Sequence, residues 1–248
     1  MHTVPQILRD EMYIGIDLET QGFDAEKDAP TEIGLVGFND NFEELWALNF
    51  LIQSPLTKPQ TKEIEEITGI TDAMIAQGES EGSVVEQIYP LLKGSKAIFA
   101  YNAPFDNAFL KALLKRQGAP LLDVLIVDVM RDIQYPPRMT CKKLSHLAYD
   151  HGIVAPVGSL HRATADVRLM IQLLSKYNLW EMMSNAREPK VTIRIKIPPP
   201  WEDKAGNEYA KTQGFRFVPE TKFWCKEIRE SQLNKIIADS KYPIVRIK

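Results

Sequence analysis

Asp17 and Glu19 stand two residues apart in the run Ile14-Gly15-Ile16-Asp17-Leu18-Glu19-Thr20. In an extended chain that spacing points both side chains to one face, so two carboxylates are set side by side. Like charges so placed are costly unless one is protonated or a cation lies between them. Two further acids share an unusual setting. Asp106 is followed at helical spacings by Phe109, Leu110 and Leu113, and Asp166 by Leu169, Met170 and Leu173. On a helix each carboxylate then lies on the apolar stripe, where lost hydration must be compensated. Either acid alone would read as a first-turn partner of the helix dipole, worth roughly 0.3–1 kcal/mol. Together, and in the company of Asp17 and Glu19, they point to a shared cation site. All four donors are oxygens, which suits two hard divalent ions, Mg²⁺ or Mn²⁺, and argues against zinc. Such a pair of ions, about 3.5–4 Å apart, polarises a phosphodiester and activates water against it. His161 is out of helical phase with Asp166 and is expected just before that helix, where an imidazole can act as general base near neutrality. His2, His146 and His151 read as surface residues.

The elements that must position these groups follow from hydrophobic periodicity. Strands are expected at Met12 to Glu19, Thr31 to Phe38 and Glu43 to Ile52, joined as an antiparallel meander through the turn-forming Asn39-Asp40-Asn41. Helical spacing then covers Thr61 to Thr68 and Ser83 to Leu92, followed by a strand at Lys96 to Tyr101, a helix from Phe105 to Gln117 stopped by Gly118, and a strand at Val124 to Val127. Helices at Lys142 to His151 and Ala163 to Tyr177 complete a first domain, residues 1–183. A meander followed by alternating helix and strand is the pattern of an α/β layer with a mixed sheet. The polar segment 184–190, with Pro189, is expected to be a linker. Beyond it, residues 191–248 carry a strand at Val191 to Ile197, a short helix near Asn207 to Thr212, a hairpin from Phe215 to Ile228, and a final helix and strand near Ser231 to Ile237 and Ile244 to Ile247, a small α+β domain.

Composition narrows the field further. The apolar runs fall far short of the roughly 20 residues needed to cross a bilayer, so no membrane role is expected. Met1 to Asp10 lacks the basic and apolar segments of a secretory signal, and the expected compartment is the cytoplasm. Cys141 and Cys225 are too few and too far apart for a disulfide framework or a thiolate zinc site. Charge is divided unevenly: residues 1–186 hold 16 Lys and Arg against 25 Asp and Glu, and residues 187–248 hold 14 against 8. An acidic unit that collects cations is thus followed by a basic one able to attract phosphate backbones.

The motifs resemble the DnaQ-like DEDD exonucleases of the histidine subclass, which have a ribonuclease-H-like fold. The resemblance rests on Ile14 to Thr20, on Asn102-Ala103-Pro104-Phe105-Asp106-Asn107-Ala108-Phe109-Leu110 and on His161-Arg162-Ala163-Thr164-Ala165-Asp166, in that order, with support from Glu32-Ile33-Gly34, Thr68-Gly69-Ile70-Thr71-Asp72 and Lys142-Lys143-Leu144. It spans roughly residues 12–177. Position by position, it implies that Asp17, Glu19, Asp106 and Asp166 bind two divalent ions, that His161 is the base, and that 5′-nucleoside monophosphates leave a 3′ end, with single-stranded DNA as the first substrate and RNA as the alternative. Thr20 and Asn102 match positions near the terminal nucleotide, and Phe105 a core position. Tyr101 stands where many members have histidine, and Gln21 where a second threonine is common; both departures bear on how the terminal base is held.

In the tail, Gly214-Phe215-Arg216-Phe217 and Lys222-Phe223-Trp224-Cys225-Lys226 interleave rings and cations. Bases stack on rings and cations track phosphates on single-strand surfaces, so Trp224, Arg216, Lys222 and Lys226 are expected on one nucleic-acid-binding face. The rival expectation is docking to a polymerase or another replication or repair protein.

Overall fold

The computed structural model describes residues 12–136, 139, 141–154, 162–198 and 202–247. Met1–Ala186 and Arg187–Lys248 separate as two compact units. In the first, β1 (Tyr13–Thr20), β2 (Pro30–Phe38) and β3 (Glu44–Gln53) form the expected meander. Next come α1 (Lys62–Thr68) and α2 (Asp72–Ala76), whose N-termini are capped by the Thr61 and Thr71 hydroxyls. They are followed by β4 (Glu79–Ser80), α3 (Glu81–Lys93), β5 (Ala97–Ala100), α4 (Ala103–Arg116), β6 (Leu125–Asp128), α5 (Val129–Asp132), α6 (Leu144–Asp150), α7 (Ala163–Leu174) and α8 (Leu179–Arg187). The strands make one mixed sheet in the order β4-β3-β2-β1-β5-β6, with β5 parallel to β1 and β6 parallel to β5.

Alternation along β1 divides the core into two layers. Ile14, Ile16 and Leu18 pack with Ile88 and Leu92 of α3 and Phe109 and Leu113 of α4. Tyr13 belongs to the opposite layer, with Val167, Met170 and Leu174 of α7 and Met182 of α8. On that side glycines let α7 come close. A Cβ built on Gly15 would lie 2.5 Å from Val167 Cγ1, and one built on Gly34 would lie 2.4 Å from the Thr164 backbone nitrogen and 2.6 Å from the Ala163 carbonyl carbon. At Gly34, therefore, the first turn of α7 rests directly on the backbone of β2.

Several short elements carry too few residues for a periodic signal: α2, β4 and α5 were not expected from the sequence. Nor was α8, and Ser184 to Arg187, expected as linker, are its last turn. Met182, Met183 and Ala186 continue the apolar face of that helix into the α7 layer, so burial overrides the polar composition. His151, expected at the surface, is half-buried at the end of α6, between the Leu147 carbonyl and the Tyr177 hydroxyl, each 2.6 Å away.

The second unit contains β7 (Lys190–Ile195), α9 (Lys204–Thr212), β8 (Arg216–Val218), β9 (Phe223–Arg229), a 3-10 turn at Glu230–Gln232, α10 (Leu233–Asp239) and β10 (Ile244–Arg246). Its four-stranded sheet is antiparallel in the order β10-β7-β9-β8. One face, bearing Ile193, Ile195 and Trp224, packs with Tyr209 and Ala210 of α9 and Leu233 and Ile236 of α10. Here the sequence expectation for Trp224 fails. The ring is only 6% exposed, and its Nε1 donates to Asn207 Oδ1 at 2.5 Å. The hairpin register explains the error: Phe217 pairs with Trp224 and Arg216 with Cys225, so one odd-even alternation cannot run through the turn. Lys226 also belongs to the helix side. It is half-buried, its Nζ donates to the Gln213 carbonyl at 2.8 Å, and burial lowers its pKa. Arg216 and Lys222 remain exposed.

Replacing Gly34 with alanine should push α7 off the sheet, because the backbone of the first turn of α7 leaves the methyl no room. We expect a loss of about 1–3 kcal/mol, as overpacked cores show, read as a lower urea midpoint for the first unit.

Candidate active site

Four carboxylates meet where β1 ends. Asp17 and Glu19 project from β1 toward α7, and Asp166 sits in the first turn of α7. Carboxylate oxygens of these three lie within 4.8 Å of one another. Asp106 comes from the first turn of α4 and is 3% exposed; its Oδ1 accepts the Leu18 N–H at 3.1 Å, which fixes it against β1 between the two acids of that strand. It lies outside the tight group of three, but its negative charge helps raise the pKa of Asp17. His161 lies outside the described residues.

Delivery of Asp166 depends on a buried acid that the sequence reading used only as part of a motif. Glu32, on β2 directly opposite Glu19, has no exposed surface. One of its oxygens accepts the Ala163 N–H at 3.0 Å, and the other accepts Arg162 Nη2 at 2.6 Å and Asn49 Nδ2 at 2.9 Å. Arg162, at the N-cap of α7, makes no cap bond of its own, so Glu32 caps the helix from the sheet. Burial alone would raise the pKa of Glu32, but the bonds from Arg162, Asn49 and Ala163 outweigh it and hold the carboxyl below its ordinary value. The sequence did carry a signal for this residue: it is the one charged side chain in the run Thr31-Glu32-Ile33-Gly34-Leu35-Val36-Gly37-Phe38, a strand the structure buries along its whole length.

The site carboxyls behave in the opposite way. Burial raises Asp17 well above its ordinary range, helped by Asp106, Glu19, Asp166 and Glu32. Burial likewise takes Glu19 up to about 7, with Asp166 and Glu32 adding to the rise and Arg162 opposing it. For Asp106, burial raises the value to about 8 against the lowering effect of the Leu18 N–H. The Arg162 guanidinium, which opposes the rise at Glu19, is already engaged by Glu32. Negative charge is thus concentrated beyond what the surrounding described residues neutralise.

Around the carboxylates the loop after β1 is tightly held. Thr20 Oγ1 donates to the Gly22 carbonyl at 2.6 Å, and Gln21 exchanges hydrogen bonds with the Lys58 backbone and reaches Gln60 Oε1 at 2.9 Å. This loop presents Phe23, which is 93% exposed and lies edge-on to Phe105 at 6.3 Å; sequence reading passed over it because a lone phenylalanine gives no periodic signal. Asn102 takes a left-handed backbone (φ 64°) before α4, and its side chain makes no cap bond. Tyr101 donates its hydroxyl to the Lys142 carbonyl, and burial raises its pKa.

Residues 14–174 match the family model described as Exonuclease, of the RNase T type. Among curated relatives, a DNA polymerase III PolC-type from Clostridium perfringens is 27% identical over 165 residues, covering 66% of this chain and 11% of that protein. The 3′-5′ exonuclease DinG of Staphylococcus epidermidis is 27% identical over 168 residues, covering 65% of this chain and 18% of that one. The chain therefore spans less than a fifth of the length of either relative. Among solved structures, E. coli exonuclease I in complex with a dA16 oligonucleotide shares the fold with a TM-score of 0.60 at 18% identity, over 75% of this chain and 48% of that one. The matched span contains the whole carboxylate cluster and both sheet layers that build it, and on that match the chain belongs to the exonuclease family of the DnaQ-like DEDD superfamily.

Proposed function

We propose that this chain is a divalent-cation-dependent 3′→5′ exonuclease that hydrolyses the terminal phosphodiester of single-stranded DNA and releases 5′-nucleoside monophosphates. The observation that carries this reading is the convergence of Asp17, Glu19 and Asp166 within 4.8 Å beside buried Asp106, in a chain of the exonuclease family. The donor set fits hard divalent ions: it is all oxygen, it is crowded, and its raised pKa values reflect repulsion and burial that positive charge would relieve. Asp17, Glu19 and Asp166 would hold the ions, with Asp106 completing the set from α4. When bound, Mg²⁺ or Mn²⁺ would offset charge developing on the phosphoryl oxygens and make water more acidic. His161, which immediately precedes the Glu32-bound Arg162, is the proposed general base, removing the proton from the attacking water. Thr20, Asn102 and the exposed ring of Phe23 stand near the carboxylates in sequence and would hold the terminal nucleotide. Single-stranded DNA is favoured by the likeness to a structure solved with a dA16 oligonucleotide. Relatedness to PolC-type polymerases supports a second reading, proofreading beside a polymerase, which copurification with one would establish. Among the described residues no helix is long and apolar enough to cross a membrane.

Matched 5′-labelled DNA and RNA oligonucleotides incubated with Mg²⁺ or Mn²⁺ test the substrate. Stepwise shortening of the DNA from its 3′ end is expected, whereas degradation of RNA alone would reject the DNA reading. Asp17→Asn should cut the rate at least about 10- to 100-fold, since loss of groups that merely support metal ligands costs that much, with the circular dichroism spectrum unchanged. His161→Ala should lower kcat about 10²–10⁴-fold, and the wild-type rate should rise across roughly pH 6 to 8 as imidazole loses its proton; a flat profile would remove His161 from the role.

The cluster also makes a thermodynamic prediction. Carboxyls whose folded pKa is raised favour folding while protonated, so their contribution is complete below the ordinary values, 4.5 for Glu19 and 3.8 for Asp106, and is lost as pH climbs through about 7 for Glu19 and about 8 for Asp106. Cation-free protein should therefore lose Tm between pH 5 and pH 8, as followed by calorimetry. Millimolar Mg²⁺ or Mn²⁺ should restore more of it at pH 8 than at pH 5, and an equal effect at both pH values would contradict a carboxylate-borne cation site.

A further inference from the structure

Only one face of the four-stranded sheet in the second unit packs with α9 and α10. Register fixes what the other face carries. Arg194 of β7 pairs with Cys225 of β9, which pairs in turn with Arg216 of β8, so a cross-strand row runs Arg194-Cys225-Arg216. Phe223 lies two residues from Cys225 on the same face, and its ring is 42% exposed. The Arg194 guanidinium stacks over that ring, its Cζ 3.9 Å from the centroid. Lys196 directly follows the end of β7, two residues past Arg194, and Lys222 stands at the adjoining turn in a left-handed conformation, φ 56°. Lys196, Arg216 and Lys222 are exposed, and among the described residues none of these three, nor Arg194, forms an ion pair. The Arg194 Nε is buried, with no hydrogen-bond partner among the described residues. Glu227 is the acid that β9 contributes to this face.

We infer that this face is a binding surface for single-stranded nucleic acid, with a base stacked on the Phe223-Arg194 pair and phosphates held by Arg216, Lys196 and Lys222. An exposed ring costs hydration, and a ring covered by a guanidinium on one side keeps its other face free to stack on another π system. Among the described residues Lys196, Arg216 and Lys222 form no ion pair with a carboxylate, in a unit that holds 14 basic against 8 acidic residues. That complementarity selects a polyanion with flat bases. A protein partner would instead be favoured by an apolar centre with few charges. The surface differs from the one expected from sequence, since Trp224 and Lys226 face the helices.

Binding can be separated from cutting by working in EDTA, so the outcome does not depend on the proposed hydrolysis. Fluorescence anisotropy of the full chain with a fluorescein-labelled single-stranded oligonucleotide should show Phe223→Ala weakening the affinity at least about fivefold, while Phe223→Tyr keeps it. The double variant Arg194→Gln/Arg216→Gln should lower the slope of log K against log salt by about 0.7 for each phosphate that is no longer neutralised. Thermal melts establish that each variant is folded. Should Phe223→Ala unfold the unit, Arg216→Glu, at an exposed strand position, decides alone through a weakened affinity or an unchanged one. Affinities within twofold of wild type in the folded variants would overturn the assignment. So would intact oligonucleotide binding together with loss of a copurifying protein, which would give the face to a protein partner. Failure of the wild type to cleave DNA, with these binding effects intact, would count against the proposed function and not against this surface.

Discussion

The approach of α7 to the sheet is the constraint on which the candidate site rests. A helix N-terminus brings unsatisfied N–H groups and partial positive charge, and burying it against a strand is costly unless an acceptor waits there. Glu32 is that acceptor, taking the Ala163 N–H and the Arg162 guanidinium from within β2. Gly34, two residues along the same strand, supplies the space. One residue provides attraction and the other removes the steric barrier, and both act on the turn that carries Asp166. Loss of either would leave Asp17 and Glu19 in place but separate them from their partner on the helix.

The acids in this small region consequently divide by environment. Glu32 is charged and fully answered by donors, which makes it a structural carboxylate despite complete burial. Asp106 is buried and Asp17 and Glu19 are half-buried, all with few compensating donors, and burial and mutual repulsion favour their protonated forms in the absence of other positive charge. Position in the sequence does not distinguish these roles, since Glu19 and Glu32 are cross-strand neighbours. Hydrogen-bond supply does.

The same distinction marks what could be read from the amino-acid sequence. The meander, the α3 and α4 helices and the inward direction of Asp106 follow from periodicities of two and 3.6, because burial there is one-sided and sustained. That Asp17, Glu19, Asp106 and Asp166 share one site followed from their number and inward setting, whereas which face of β1 meets α7 is tertiary information that periodicity does not carry. Elements of four or five residues such as α2 and α5 were invisible, as they complete no periodic pattern. The helix α8 was hidden by its polar end. At Trp224 the alternation was correct within each strand, but the turn changed its phase, a quantity fixed by backbone geometry and not by residue type. Glu32 was visible as an oddity, whereas its partner Arg162 lies 130 positions away.

The contact at Gly34 has a mechanical meaning as well. Backbone against backbone is a hard stop, insensitive to ionic strength and to the protonation of nearby groups. If the distance between Asp166 and the strand acids were set by their mutual repulsion, it would drift whenever pH, salt or the identity of a counter-ion changed. Set by van der Waals contact, it acts as a gauge block: one missing methyl group holds the spacing, and charge can enter or leave the cluster without the frame having to move.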